Sequence, residues 1–359
     1  MIAASDPVQR PPGAKLLAVD ARGRIRHLPR RQFAALVRRG DAVIANDAAT
    51  LPASLAGVHG PTHRRIEVRL AQRGSLEPDD VRDFNAIVLG EGDYRVRTED
   101  RPPPPSLAPG DSLQLGPLRA TVSYLLGHPR FVALRLHGSP QEIWSGLALH
   151  GRPIQYAHVR VPLRLWDVWT SIASVPAAFE PPSAGFALDW LVLDDLRRRG
   201  VSFATITHAA GISSTGDAAL DALLPLDEPY FISRSTAEAI AQARARGGRI
   251  VAVGTTVVRA LEAAALDRGL VRAGSGVAKQ RIVRDTRLRV VDALLSGTHE
   301  PGTTHHALLE AFADDATLLR ADRELASHDY RTHEFGDSVF VERRDSAWLR
   351  SRPMASAIA

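Results

Sequence analysis

The sequence predicts an α/β fold: a mainly parallel sheet with helices on its faces, interrupted by an inserted small antiparallel β-barrel. Three observations carry that expectation. From about residue 155 onward, strand-like and helix-like segments alternate, as strand–helix–strand units require. Between about 58 and 150 the pattern changes to short period-two runs broken by Gly and Pro, as in a barrel or sandwich. At 359 residues, finally, the chain is too long for one ordinary core. The expected division is 1–57 plus 152–359 for the α/β domain and 58–151 for the insertion.

Each element has its own signal. Residues 16–20 (LLAVD) read as a strand, residues 30–40 (RRQFAALVRRG) as a helix, and DAVIANDAATLPASLAG follows. Ile66-Glu67-Val68-Arg69-Leu70 alternates with period two, as do parts of 93–97, 119–125 and 131–136. Four consecutive prolines, Pro102 to Pro105, make a stiff surface connector in polyproline form. Residues 187–199 read as a helix and 201–207 as a β-rich strand. A helix over 235–246 is capped by serine and threonine and closed by Gly247-Gly248. Then come a strand over 250–254, a helix to 266, a helix over 304–313 and a last strand over 338–342.

Composition excludes several function classes. Hydrophobic residues make up 45% and charged residues 24%, as in a soluble globular protein. No apolar run approaches the roughly 20 residues that span a bilayer, so no membrane partner is expected. The opening MIAASDPVQRPPGAK lacks an apolar signal core, so a cytoplasmic location is expected. Without cysteine there are no disulfides, thiolate metal sites or cysteine nucleophiles. The formal charge is +5, nearly all of it arginine, since Lys15 and Lys279 are the only lysines. Arginine suits phosphate recognition, but the basic residues are dispersed, and codon bias in a GC-rich genome is the preferred explanation.

Chemistry concentrates in four loops. In VAVGTTVVRALE (251–262) a buried strand turns into a helix through Gly254, Thr255 and Thr256. Gly254 would admit a ligand close to the backbone, and the threonines offer hydroxyls and free amides where a helix start favours anions. Arg259 and Glu262 follow one turn on. An ordinary threonine cap with a surface ion pair is the alternative. The second loop, Glu180-Pro181-Pro182-Ser183-Ala184-Gly185, and the third, residues 207–217 around His208 and Gly211, are crowded with small residues. Together they suggest a ligand crevice beyond strand ends; flexibility is the bland alternative. The fourth holds Thr298-His299-Glu300 and His305-His306, with His328 and His333-Glu334-Phe335-Gly336-Asp337 after it. No His-Glu-x-x-His spacing is present, so acid–base work by one histidine beside a carboxylate is preferred to a metal site.

These loops, in this order, resemble the S-adenosylmethionine:tRNA ribosyltransferase-isomerase family, the QueA enzymes of queuosine biosynthesis. The resemblance is strongest at VAVGTTVVRALE, then at VDALLSGTHEPGTTHHALLEAFA and YRTHEFGDSVFV, and is visible at PPSAG and GDAVIANDAATLPASLAG. It implies an α/β domain with an inserted β-barrel. It also implies S-adenosylmethionine as ribosyl donor: the sulfonium acidifies the 5′ carbon, a base removes a proton there, and the ribose is rearranged onto 7-aminomethyl-7-deazaguanine in tRNA. Adenine and methionine leave, and no metal is implied.

Carried onto this chain, the resemblance places S-adenosylmethionine against Ser183, Gly185, Gly211, Gly254, Thr255, Thr256 and Arg259. The expected catalytic groups are His208 or His299 as acid/base, with Glu334 or Asp337 orienting a histidine; Asn46, Asp47, Glu300 and His333 are expected at the acceptor. There are departures. Asp47-Ala48-Ala49-Thr50-Leu51-Pro52-Ala53-Ser54 lacks two family arginines, Ala187 replaces a histidine, and His208 is displaced by one position. Glu300, His305, His306, His333 and Glu334 stand where the family is mostly apolar or aromatic. The expected partner is therefore tRNA or a small-molecule acceptor, met by a monomer. Two other readings stay open: a paralogue acting on a small molecule, and a catalytically silent RNA-binding protein.

Overall fold

The computed structural model describes residues 1–344; positions 345–359 of the expected α/β domain lie outside the described residues. A nine-stranded sheet forms the larger unit. At its centre Ser202–His208, Ala42–Asn46, Ile250–Val253 and Ala293–Gly297 lie side by side, each parallel to the next. Ala42–Asn46, Ile250–Val253 and Ala293–Gly297 are near-continuous apolar runs because both of their faces are buried. Toward the edges the sheet becomes mixed. Glu228–Ile232 runs antiparallel to Ser202–His208, and Ser338–Glu342 antiparallel to Ala293–Gly297 but parallel to Lys15–Val19.

Strand periodicity divides the core in two. Ile44, Ala252 and Leu294 face a layer containing Val257, Leu261 and Leu325. Val43, Ala45, Val251, Val253, Leu295 and Phe340 face Phe33, Leu188 and Val192 on the other side.

The α/β-plus-barrel architecture expected from the sequence is what the chain adopts. A closed antiparallel barrel is formed by Ser54–His59, Arg65–Arg73, Asp83–Leu89, Ser112–Leu115, Leu118–His128 and Phe131–Leu136. Leu55, Val68, Val88, Leu113, Val122 and Leu134 fill it. Residues 93–97 form no strand there: the Asp93 carboxylate accepts the Arg95 amide at 2.9 Å and bends the chain into a turn. A helix absent from the sequence reading, Pro140–His150, packs Ile143 and Leu147 onto the barrel core; Ser139 and Glu142 form its capping box.

Other boundaries shift slightly. The expected helix over 30–40 is a 3-10 helix, Arg30–Leu36, and the helix over 187–199 begins at Trp190 with Asp189 as its cap. The helix over 304–313 stops at Leu309. The barrel's entry and exit are tied together, since Ser54 and Arg152 exchange backbone hydrogen bonds of 2.8 and 2.9 Å.

Candidate active site

All four central strands end on the same side, so the segments that follow them meet there. Thr255–Ala263 follows Ile250–Val253 through Gly254, whose φ of 99° strongly favours glycine. The segments around Ser183, Gly211 and His299 approach the same corner and line one crevice there. Its floor carries the opening turn of the helix, where the first amides lack intrahelical acceptors. Asn46 braces this floor from behind: its Nδ2 donates to the His208 carbonyl at 3.0 Å, and its Oδ1 accepts the His208 amide at 3.0 Å.

One wall holds a buried ionic group. Arg259 pairs with Glu228, and its Nη2 donates to the carbonyls of Leu226 and Ala278 at 3.0 and 2.9 Å. The other oxygen of Glu228 accepts the Gly211 amide at 2.6 Å. Burial pushes the Glu228 carboxyl up, against the pull of Arg259 and Gly211. His208 lies behind this pair, fully buried, with Nε2 3.4 Å from Glu228. Burial, assisted by the Arg259 charge, lowers its pKa to about 3, so it is a neutral imidazole.

The opposite wall carries acid–base groups. His299 and His305 stack with ring centroids 4.5 Å apart and planes 15° from parallel. Burial lowers His305 to about 4 and drives His299 well below the ordinary histidine value, helped by the neighbouring His305 and His333. Glu180 accepts the Tyr156 hydroxyl on one oxygen and the Ser213 amide at 3.1 Å on the other. Burial raises its pKa to about 7 despite those bonds. Beside it, Glu334 lies 3.2 Å from His158, which stacks between Tyr156 and His333. Burial pushes Glu334 up, but the bond and charge of His158, a backbone amide and the charge of His333 together outweigh it and leave the carboxyl below its ordinary value.

Comparison with known proteins decides the family. The family described as queuosine biosynthesis protein matches residues 1–341. The S-adenosylmethionine:tRNA ribosyltransferase-isomerase of Sorangium cellulosum is 34% identical, over 96% of both chains. That of Azoarcus sp. is 32% identical over 96% of this chain and 95% of its own. The chain belongs to the queuosine biosynthesis protein family. In fold it is similar to the crystal structure of S-adenosylmethionine tRNA ribosyltransferase from Thermotoga maritima, with a TM-score of 0.50 and 23% identity over 94% of this chain and 96% of that one.

In this queuosine biosynthesis protein the structure gathers part of the expected site. Ser183, Gly211, Gly254, Thr255, Thr256, Arg259 and His299 all line the crevice. Gly185 packs against Thr170 instead, where a Cβ would come within 2.9 Å of a methyl group. Asp47 accepts the hydroxyls of Thr205 and Thr207 at 2.8 and 2.7 Å, tying down the neighbouring strand. Asp337 holds the Lys15 and Arg331 amides at 2.6 and 2.8 Å, so its carboxylate serves the backbone and orients no histidine. Glu334 does contact a histidine, but the partner is His158. Glu300 is exposed, and exposed His333 adjoins His158.

Sequence reasoning did not assign Glu180, Tyr156, His158 or Glu228. Glu180 opens the Pro181-Pro182 loop, so its place beside that loop was visible. The others reach the site only through long-range folding. Among the described residues, two groups have the residue types to hold a metal: His158 with His333 and Glu334, and His27 with Glu324 and His328.

Proposed function

We propose that this chain is an S-adenosylmethionine:tRNA ribosyltransferase-isomerase, transferring and rearranging the ribosyl group of S-adenosylmethionine onto 7-aminomethyl-7-deazaguanine in tRNA. The observation that carries the reading is the crevice itself, where a glycine-threonine helix start faces paired histidines and a carboxyl with a pKa of about 7. Relatives spanning nearly the whole chain and bearing that enzyme name support it.

The roles follow from charge. The opening turn at Thr255 and Thr256 favours an anion, so it receives the carboxylate of the methionine part. The cationic sulfonium makes the adjacent 5′ carbon acidic, and an unprotonated base takes its proton. His299 is that base, because its surroundings keep it unprotonated at neutral pH. Glu180 still carries a proton in a large fraction of molecules at pH 7 and delivers it to the departing adenine. His208 takes no part in proton transfer: it lies behind Glu228, fully buried.

The test is release of adenine and methionine from S-adenosylmethionine with three additions: buffer, tRNA carrying the aminomethyl-deazaguanine, and the free base. Release that requires the modified tRNA is expected. Release with the free base alone would instead assign a small-molecule acceptor. His299→Ala and Glu180→Gln should each lower kcat by roughly 100-fold or more; full turnover in His299→Ala would remove that residue from the chemistry.

A further inference from the structure

His158, His333 and Glu334 present three ligand atoms within 4.8 Å of one another. They arrive from distant parts of the chain: His158 from the segment that leaves the barrel, the other two from the turn before Ser338–Glu342. His158 Nε2 stands 3.2 Å from Glu334 Oε2. Two donors bound about 2.0 to 2.1 Å from one tetrahedral ion lie about 3.3 Å apart, so this pair already has the spacing of two corners. The His333 ring stacks on His158 with centroids 4.4 Å apart and planes 22° from parallel.

The backbone is bent to make this possible. His333 has φ of 69°, in the left-handed region that non-glycine residues seldom adopt. The Gly336 amide donates to its carbonyl at 3.0 Å and holds the turn. Successive side chains on an extended chain point to opposite sides; here residues 333 and 334 both converge on His158. A simple ion pair between His158 and Glu334 would need neither the third ligand nor the left-handed turn.

We propose that His158, His333 and Glu334 bind a divalent transition-metal cation. Zn²⁺ matches a set of two imidazoles and one carboxylate without thiolate. Three protein ligands leave a fourth position open, as in catalytic sites. Glu334 shares a small cavity with Tyr156 and Glu180, and Glu180 also lines the crevice, so the ion sits close behind the crevice wall. This departs from the expectation that no metal takes part, which rested on spacing along the chain and on the family resemblance. The second histidine–glutamate group differs: His27, Glu324 and His328 are 35%, 41% and 52% exposed at the side chain, away from the crevice. It serves as an internal control.

The full chain, stripped with a chelator and dialysed, is titrated calorimetrically with Zn²⁺ and, separately, with Co²⁺ to read the visible spectrum of the bound ion. One equivalent is expected to bind, with His333→Ala and Glu334→Gln each weakening affinity at least tenfold and His328→Ala leaving it unchanged. His333 is exposed, so its variant tests the ligand without disturbing the core; thermal unfolding of the metal-free variants checks that each is folded. Absence of stoichiometric binding would overturn the proposal. So would affinity that is indifferent to His333 and Glu334, or that tracks His328. None of these readouts depends on ribosyl transfer.

Discussion

Arg259 and Glu228 form a buried ion pair in the wall of the crevice, and the rest of the guanidinium is spent on backbone carbonyls. An arginine read from the sequence as an anion contact is thus largely engaged inside the protein. Removing it strands a buried carboxylate that also holds Gly211. Arg259→Met should therefore lower unfolding free energy by about 3 to 5 kcal/mol, measured by urea denaturation. Unchanged stability with weakened S-adenosylmethionine binding would show that Arg259 acts chiefly on the ligand.

Gly254 has φ of 99°, and a Cβ there would still have ordinary contacts, the closest at 3.5 Å to the Thr256 hydroxyl. The cost of Gly254→Ala is therefore backbone strain, about 1 to 3 kcal/mol, with no added clash. Relief of that strain would shift the helix start, so S-adenosylmethionine affinity should fall together with stability. Calorimetric titration and a denaturation curve on the same variant check both.

His208 sets an acid limb. Its pKa is about 3 in the folded chain against an ordinary value of 6.5, so the unfolded state binds more protons between those values. The stability concerned is present above pH 6.5 and is lost as pH falls toward 3. Urea unfolding at pH 7 and pH 5 should show a smaller loss on acidification for His208→Gln than for the parent. Equal losses would mean that other groups set the limb.

His306 works in the opposite direction. Its hydrogen bond to Asp322, with ring nitrogen and carboxylate 3.2 Å apart, raises its pKa above the ordinary value. That contribution is complete below pH 6.5 and disappears as pH rises through the folded value. His306→Gln should cost on the order of 1 kcal/mol at pH 5.5 and much less at pH 8.5. A cost independent of pH would assign His306 to packing alone.

The fold was legible wherever local pattern and final environment agree. The strands Ile250–Val253 and Ser338–Glu342 are apolar because they are buried on both faces, and that is visible in the letters. The glycine-threonine corner was legible for the same reason: a strand must turn into a helix within one residue. Residues 93–97 misled because alternation is cheap over five positions, whereas an aspartate side chain bonded to the next-but-one amide decides the turn. Much of the site's other wall was out of reach. Glu180 and Glu334 were each in view, but their partners Tyr156 and His158 were not: Glu334 meets His158 across 176 positions, and no spacing rule joins them. Asp337 shows the converse, a carboxylate near histidines in sequence that the fold assigns to two backbone amides.

The paired backbone bonds between Ser54 and Arg152 bear on how the protein varies. To the sheet, everything between those residues is a single hairpin turn of great length, closed at its base. Lengthening a closed loop adds little entropic cost, so barrel turns remote from the crevice can change in length without shifting the strand ends that support the corner. Only one face of the barrel is held to the chemistry, where Ala71, Ile87 and Phe131 pack on Ile212 and Leu224 of the crevice.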